Sequence, residues 1–224
     1  MANLLKSSIG KKLIMSLSGL FLMVFLVVHL SMNLLLLDSS GELYNKGAHF
    51  MATNPMIRIM EPILGLGLVL HIVYSLIITI SNRKARGSVD YASGNESKTT
   101  SWASKNMFVL GMLVFIFLVI HLSNFYFKMK FGEMPKITLD GEQMDDAYGL
   151  VSQYFSFWWY DIIYIFGGLF LALHLHHAFW SAFQTIGMSN NLWQPRLMFL
   201  GHIYTAFIGG GFILIPTWFM IKSM

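Results

Sequence analysis

Apolar residues run through this chain in five long blocks, not in the short alternations or one-sided stripes that build a water-facing fold, so the solvent they suit is hydrocarbon. The blocks extend from about Leu13 to Leu37, Met56 to Ile80, Asn106 to Phe127, Trp159 to Phe183 and Leu197 to Phe219. Each holds roughly 20 to 25 positions, enough at ~1.5 Å per residue to cross a ~30 Å hydrocarbon layer. The pattern predicts an all-α integral membrane bundle of five transmembrane helices, a single domain over residues 1–224. The first block is longer than the ~7–15-residue apolar region of a signal peptide and no small-residue cleavage site follows it, so helix one is expected to be retained.

The polar segments between the blocks set an expected orientation. Lys6, Lys11, Lys12, Arg83, Lys84, Arg86, Lys98, Lys105 and Arg196 fall on one side, and Lys46, Arg58, Lys128, Lys130, Lys136 and Lys222 on the other, diluted by Asp38, Glu42, Glu133, Asp140, Glu142, Asp145 and Asp146. Basic residues near helix ends favour the cytoplasm, which predicts a cytoplasmic N-terminus and an external C-terminus. Ser81 to Ser104 reads as a polar cytoplasmic loop that could present a docking surface. Lys128 to Tyr154 reads as an external connector carrying a short helix or hairpin, and His49 falls in the first external loop. Gly209-Gly210-Gly211, inside the fifth block, implies close packing or a kink.

Composition narrows the chemistry. The chain is 55% hydrophobic and 12% charged, and its net charge of +4 is what basic cytoplasmic loops produce, so no nucleic-acid function is read from it. With no cysteine it holds no iron–sulfur cluster, disulfide or thioether-attached haem. There is no soluble catalytic domain and no nucleotide-binding glycine motif in a strand-to-helix setting.

Histidines are the exception to the apolar pattern. His29 lies on helix one, His71 on helix two, His121 on helix three, His174, His176 and His177 on helix four, and His202 on helix five. Metal-binding side chains within a span are costly, and each marks a site by default. Counted from the helix centres, His29 and His121 lie about 6 and 7 Å toward the outside, and His71 and His174 about 4 to 5 Å toward the cytoplasm. Two pairs of imidazoles at matched depth suit bis-histidine ligation of two b-type haems, which needs neutral rings facing each other at one level. Gly67 and Ser75 around His71, and Ala178 after His174, offer room for a macrocycle, whereas Phe25 and Phe117 one turn before His29 and His121 would pack on its edge. Depth alone leaves His177 as an alternative to His174, while His176 points roughly 200° away from His174. A zinc site on the His174-Leu-His-His run lacks a companion carboxylate in the span.

Lys6-Ser-Ser-Ile-Gly-Lys-Lys-Leu-Ile-Met-Ser-Leu-Ser-Gly-Leu resembles the opening of the cytochrome b subunit of succinate dehydrogenase and fumarate reductase, the single-anchor, two-haem type. So do His29 in helix one, His71 followed by Ser81-Asn-Arg-Lys-Ala-Arg, and His174-Leu-His-His-Ala-Phe-Trp-Ser-Ala-Phe-Gln-Thr-Ile-Gly. The likeness covers nearly the whole chain. In that family a glycine follows the helix-four ligand by four residues; Ala178 stands at that position and selects His174. The resemblance implies His29 and His121 on the iron of an outer haem, and His71 and His174 on that of an inner one. It further implies a bacterial cytoplasmic membrane, a flavoprotein and an iron–sulfur subunit as partners, and menaquinone or ubiquinone as the membrane substrate. It leaves the direction of electron flow and a dimer of the whole complex open. A glutamate that conducts protons in some fumarate reductases of this type is Ala172 here, so that pathway is not expected. Ser16, Trp102 and Gln184 are candidates for the haem propionates, and Asn33, His49 and Glu61 for quinone. A di-haem cytochrome b of a hydrogenase or formate dehydrogenase would share the four histidines, and a haem-free membrane protein could use them structurally.

Overall fold

The computed structural model describes residues 7–86 and 106–223. Helix α1 (Ser8–Asn33) is prolonged by a 3-10 turn, Leu34–Leu37; α2 (Glu42–Thr53) and α3 (Pro55–Arg86) follow. Helix α4 (Met107–His121) continues through a π turn at Leu122–Tyr126 into α5 (Phe127–Phe131). Strands β1 (Lys136–Leu139) and β2 (Glu142–Asp145) form an antiparallel hairpin, and α6 (Ala147–Tyr154), α7 (Trp158–Thr185) and α8 (Trp193–Ser223) complete the order. Five segments are long and apolar enough to span a membrane: Ser8–Leu37, Pro55–Ala85, Met107–Phe131, Trp158–Thr185 and Trp193–Ser223. The fold is the expected all-α membrane bundle, and its outward side chains, such as Val24, Leu66, Phe166 and Phe199, are apolar.

Two expectations need correction. The second span runs on to Arg86, so Ser81 to Arg86 is helix and not loop; the rest of that loop, Trp102 included, lies outside the described residues. The loop expected between the first two spans is largely the helix α2, and His49 sits on it. Glycine in the left-handed region at Gly41 (φ 71°) starts α2, which the polar composition of this stretch concealed. The connector after α5 carries both a hairpin and a helix; Asp140 (φ 54°) and Gly141 (φ 81°) form the tight turn, the Asp-Gly pairing that such hairpins favour.

Helices α7 and α8 make the most extensive contact of the bundle. An added Cβ on Gly209 would collide with Ala172 and one on Gly168 with Ile213, so small residues set how closely these two axes approach. Gly211 likewise admits the fully buried Leu30 of α1, which makes close packing the meaning of the triple glycine. Helix α1 packs on α3, α7 and α8, while α4 packs on α7. Helices α1 and α4, and likewise α3 and α7, have no extensive packing of their own. The four site helices thus form two facing pairs with side chains between them.

The hairpin end of the bundle is held by a polar core. Asn45, 2% exposed, donates Nδ2 to Asp146 Oδ1 at 3.0 Å and accepts the Tyr148 amide at 2.7 Å, while Asp146 Oδ1 also accepts from Gly149 N at 2.9 Å and caps α6. Lys46 bridges Glu42 at 2.5 Å and Asp140 at 2.6 Å, and these carboxylates, Asp140 first, hold its ammonium above the ordinary lysine range. Asn45→Ala leaves a buried carboxylate and an amide without their partner and is expected to destabilise this cap by about 1–3 kcal/mol. The readout is faster hydrogen exchange at the Tyr148 and Gly149 amides with unchanged protection in the centres of α7 and α8.

Candidate functional site

His29 of α1 and His121 at the end of α4 meet across the gap between their helices, with ring centroids 5.7 Å apart and planes at 86°. Two imidazoles on opposite sides of one metal ion, with bonds of about 2.0–2.1 Å as for zinc, have centroids about 6 Å apart. The pair is therefore at ligating separation. Aromatic rings enclose it: Phe25 stacks on His29 at 5.2 Å, Phe212 of α8 approaches it at 5.7 Å, and Phe117, Phe125 and Tyr164 surround His121 at 5.9, 5.6 and 6.0 Å. Phe25 and Phe117 thus stack on the imidazoles themselves. Asn33 donates Nδ2 to the His29 carbonyl at 2.8 Å and lies 3.4 Å from His29 Nδ1, so it steers this ring.

His71 of α3 faces α1. Its Nδ1 lies 3.4 Å from Ser18 Oγ, whose own proton is given to the Met15 carbonyl at 3.0 Å. What Ser18 offers the imidazole is a lone pair, which keeps the proton on Nδ1 and leaves Nε2 bare for a metal. Gly19 lies beneath the ring, with a Cβ placed there only 3.4 Å from His71 Cε1. His174 of α7 stands in the same relation to Gly111 of α4, at 3.6 Å from Cε1, and its Nδ1 is buried without a hydrogen-bond partner in the protein. Of the α7 histidines, His174 is the one whose ring rests against a glycine of α4.

The two pairs form separate layers. On α1 the level of His71 is marked by Gly19, ten residues before His29; on α7 the level of His121 is marked by Tyr164, ten residues before His174. Two helices thus give the same spacing, about 15 Å along the axis. His177, three residues further, breaks that match.

The remaining candidates scatter. Ser16 is buried in α1, Gln184 is exposed in the last turn of α7, and Trp102 lies outside the described residues. His49 Nε2 bonds Glu142 at 3.1 Å on the hairpin. Glu61 accepts from Tyr126 OH at 2.5 Å and Lys130 Nζ at 2.6 Å, which ties α3 to the end of the third span. Asn33, His49 and Glu61 therefore each serve a different partner. Gly67 receives the Phe21 ring, not a macrocycle edge, because α1 lies on that face of α3.

Four residues escaped the sequence reading, Ser18 among them. Gly19 and Gly111 could have been found as glycines at the depth of a histidine on a neighbouring helix. Asp161, in the first turn of α7, is 0% exposed with both carboxylate oxygens unpartnered, and an acid within a span was itself the signal.

A closed zinc site needs four protein ligands, and among the described residues no three His, Cys, Asp or Glu side chains converge. A haem needs only the two axial ligands from the protein, since the porphyrin supplies the other four. The donor set fits that group: His29 and His121 stand at ligating separation, and Ser18 Oγ lies beside His71 Nδ1.

Fold and site together define a multi-pass membrane protein with one facing pair of histidines, His29 and His121, and with His71 and His174 at a second level about ten residues away. Compared with family models, with curated proteins and with solved structures, the chain matches none.

Proposed function

We propose that this chain is the membrane-anchor and electron-transfer subunit of a succinate:quinone oxidoreductase of the single-anchor, di-haem type, with its N-terminus on the cytoplasmic side of a bacterial membrane. The observation that carries the reading is the histidine geometry: a pair of rings 5.7 Å apart, and a second pair ten residues away on both α1 and α7. When bound, two b-type haems supply one-electron chemistry between a cytoplasmic flavoprotein and iron–sulfur pair and membrane menaquinone or ubiquinone.

The residues of the chain do the holding and insulating. His29 and His121 would hold the iron nearer the hairpin, and His71 and His174 the one nearer the N-terminus. Ser18 orients His71, and Asn33 steers His29. Phe25, Phe117, Phe125, Tyr164 and Phe212 exclude water from the hairpin-side layer and lower its dielectric, which is how a protein tunes such a centre. With no cysteine, iron–sulfur chemistry falls to a partner subunit. Lys11, Lys12, Arg83, Lys84 and Arg196 at the N-terminal end supply a basic surface for docking.

Protein purified in detergent with its partners is expected to give the reduced-minus-oxidised spectrum of a cytochrome b, with pyridine haemochrome measuring two haems per chain, and to bring down a flavoprotein and an iron–sulfur protein. A colourless protein would refute the haem reading. Co-purification with a hydrogenase or formate dehydrogenase subunit would retain the haems and overturn the succinate assignment.

A further inference from the structure

One histidine of the helix-four cluster takes no part in the two layers. His176 points away from His174 and stacks on His202 of α8, with centroids 5.0 Å apart and planes at 30°. Both residues are exposed on the outer surface of the bundle. Each lies nine residues from the N-terminal-side end of its helix, about 13 Å along the axis; helices of 28 and 31 residues project about 6–8 Å beyond a ~30 Å layer at each end, so the two rings lie about 5–7 Å inside it. Two polar rings facing lipid at that depth are costly unless something polar meets them there.

The adjoining surface of α8 is shaped for an occupant. His202, Ala206 and Gly210 succeed one another at four-residue spacing and all are exposed, and a Cβ on Gly210 would meet nothing within 4 Å. The face therefore runs as a shallow open track from the imidazoles toward the middle of the membrane. The α7–α8 register, set by Gly168 on Ile213, Ala172 on Gly209 and Phe179 on Gly201, brings Thr205 to the level of His176. Thr205 Oγ1 is buried and has no hydrogen-bond partner.

We propose that His176 and His202 form a quinone-binding seat in the N-terminal-side half of the membrane, opening to lipid between α7 and α8. A quinone is flat, lipid-soluble and carries carbonyl oxygens that accept hydrogen bonds. The stacked imidazoles present N–H donors to one such oxygen, and the track over Ala206 and Gly210 takes the ring and the start of the isoprenoid tail. A phospholipid headgroup would need its charge drawn about 5–7 Å into the hydrocarbon layer to reach the same groups. The seat rests on the proposed function for its redox partner: His174 is on the opposite side of α7, so one helix of about 10–12 Å diameter separates the seat from the N-terminal-side iron.

The test uses the holo complex in phosphatidylcholine nanodiscs and a short-chain azido-quinone. Labelling is expected on peptides of α7 and α8 around His176 and His202, and is expected to be competed by unlabelled quinone. His176→Phe and His202→Phe keep the ring stacking and remove the donors; each should weaken quinone competition about tenfold, the loss of one hydrogen bond, with haem content unchanged. Ala206→Leu fills the track while sparing both histidines and should weaken it likewise. Unchanged labelling and competition in all three variants overturns the seat, as does label displaced by excess phospholipid but not by quinone. Absence of haem from the parent protein would instead refute the proposed function, and the labelling result would still be read.

Discussion

Alanine at His29 and alanine at His121 are each expected to abolish the same b-type signal, leaving roughly half of the haem in a folded protein. The two rings approach to 5.7 Å from helices that do not pack along one another, so what connects α1 to α4 at this level is the pair itself. Removing either imidazole takes away one axial ligand and leaves the other with no partner across the gap. A five-coordinate remnant would bind less firmly and change its spectrum, and the pyridine haemochrome would fall toward one per chain. The double variant should lose no more haem than either single one, because residues acting as one unit are not additive. Variants that lose different signals, or that keep both haems, would remove the hairpin-side layer from the account. Phe25→Ala serves as a control: it removes a ring stacked on His29 at 5.2 Å without touching a donor atom, and should shift the potential of that haem while its content stays.

The fold was legible in the sequence because one force dominates it. Blocks of apolar residues of bilayer length leave helices as the only way to satisfy the backbone, so the spans could be read to within a few residues at most ends. What failed to show was what water and local turns decide. The helix α2 hides in a polar stretch whose start depends on the left-handed Gly41, and the Asn45 core at the hairpin end joins residues about a hundred positions apart. At the site, the depth count placed His29 beside His121 because rise per residue is nearly constant in a helix. It could not find Ser18, Gly19 or Gly111, whose roles depend on which face of one helix meets which face of another. It also could not tell that Glu61 is tied to Tyr126 and Lys130. Rotation about the helix axis, unlike height along it, is set by packing.

That same distinction singles out one histidine on α7. His174→Ala and His71→Ala are expected to abolish the second haem signal, whereas His177→Ala should retain both. His174 lies against Gly111, and its distance of ten residues from Tyr164 matches that of His29 from Gly19. His177 is one turn nearer the helix end, so an iron held there would sit about 4–5 Å further down α7 than the layer spacing on α1 allows. Ser18→Ala provides a graded version of the test. Without the Ser18 lone pair the Nδ1 proton of His71 is held less firmly and the ring is a less basic ligand; removal of such an outer partner typically weakens metal affinity about 10–100-fold. The haem held by His71 should then wash out first under detergent dilution while the His29 and His121 signal persists. Full haem content in His174→Ala together with loss in His177→Ala would reverse the assignment, and would place the N-terminal-side iron a turn below the level that Gly19 and Gly111 mark.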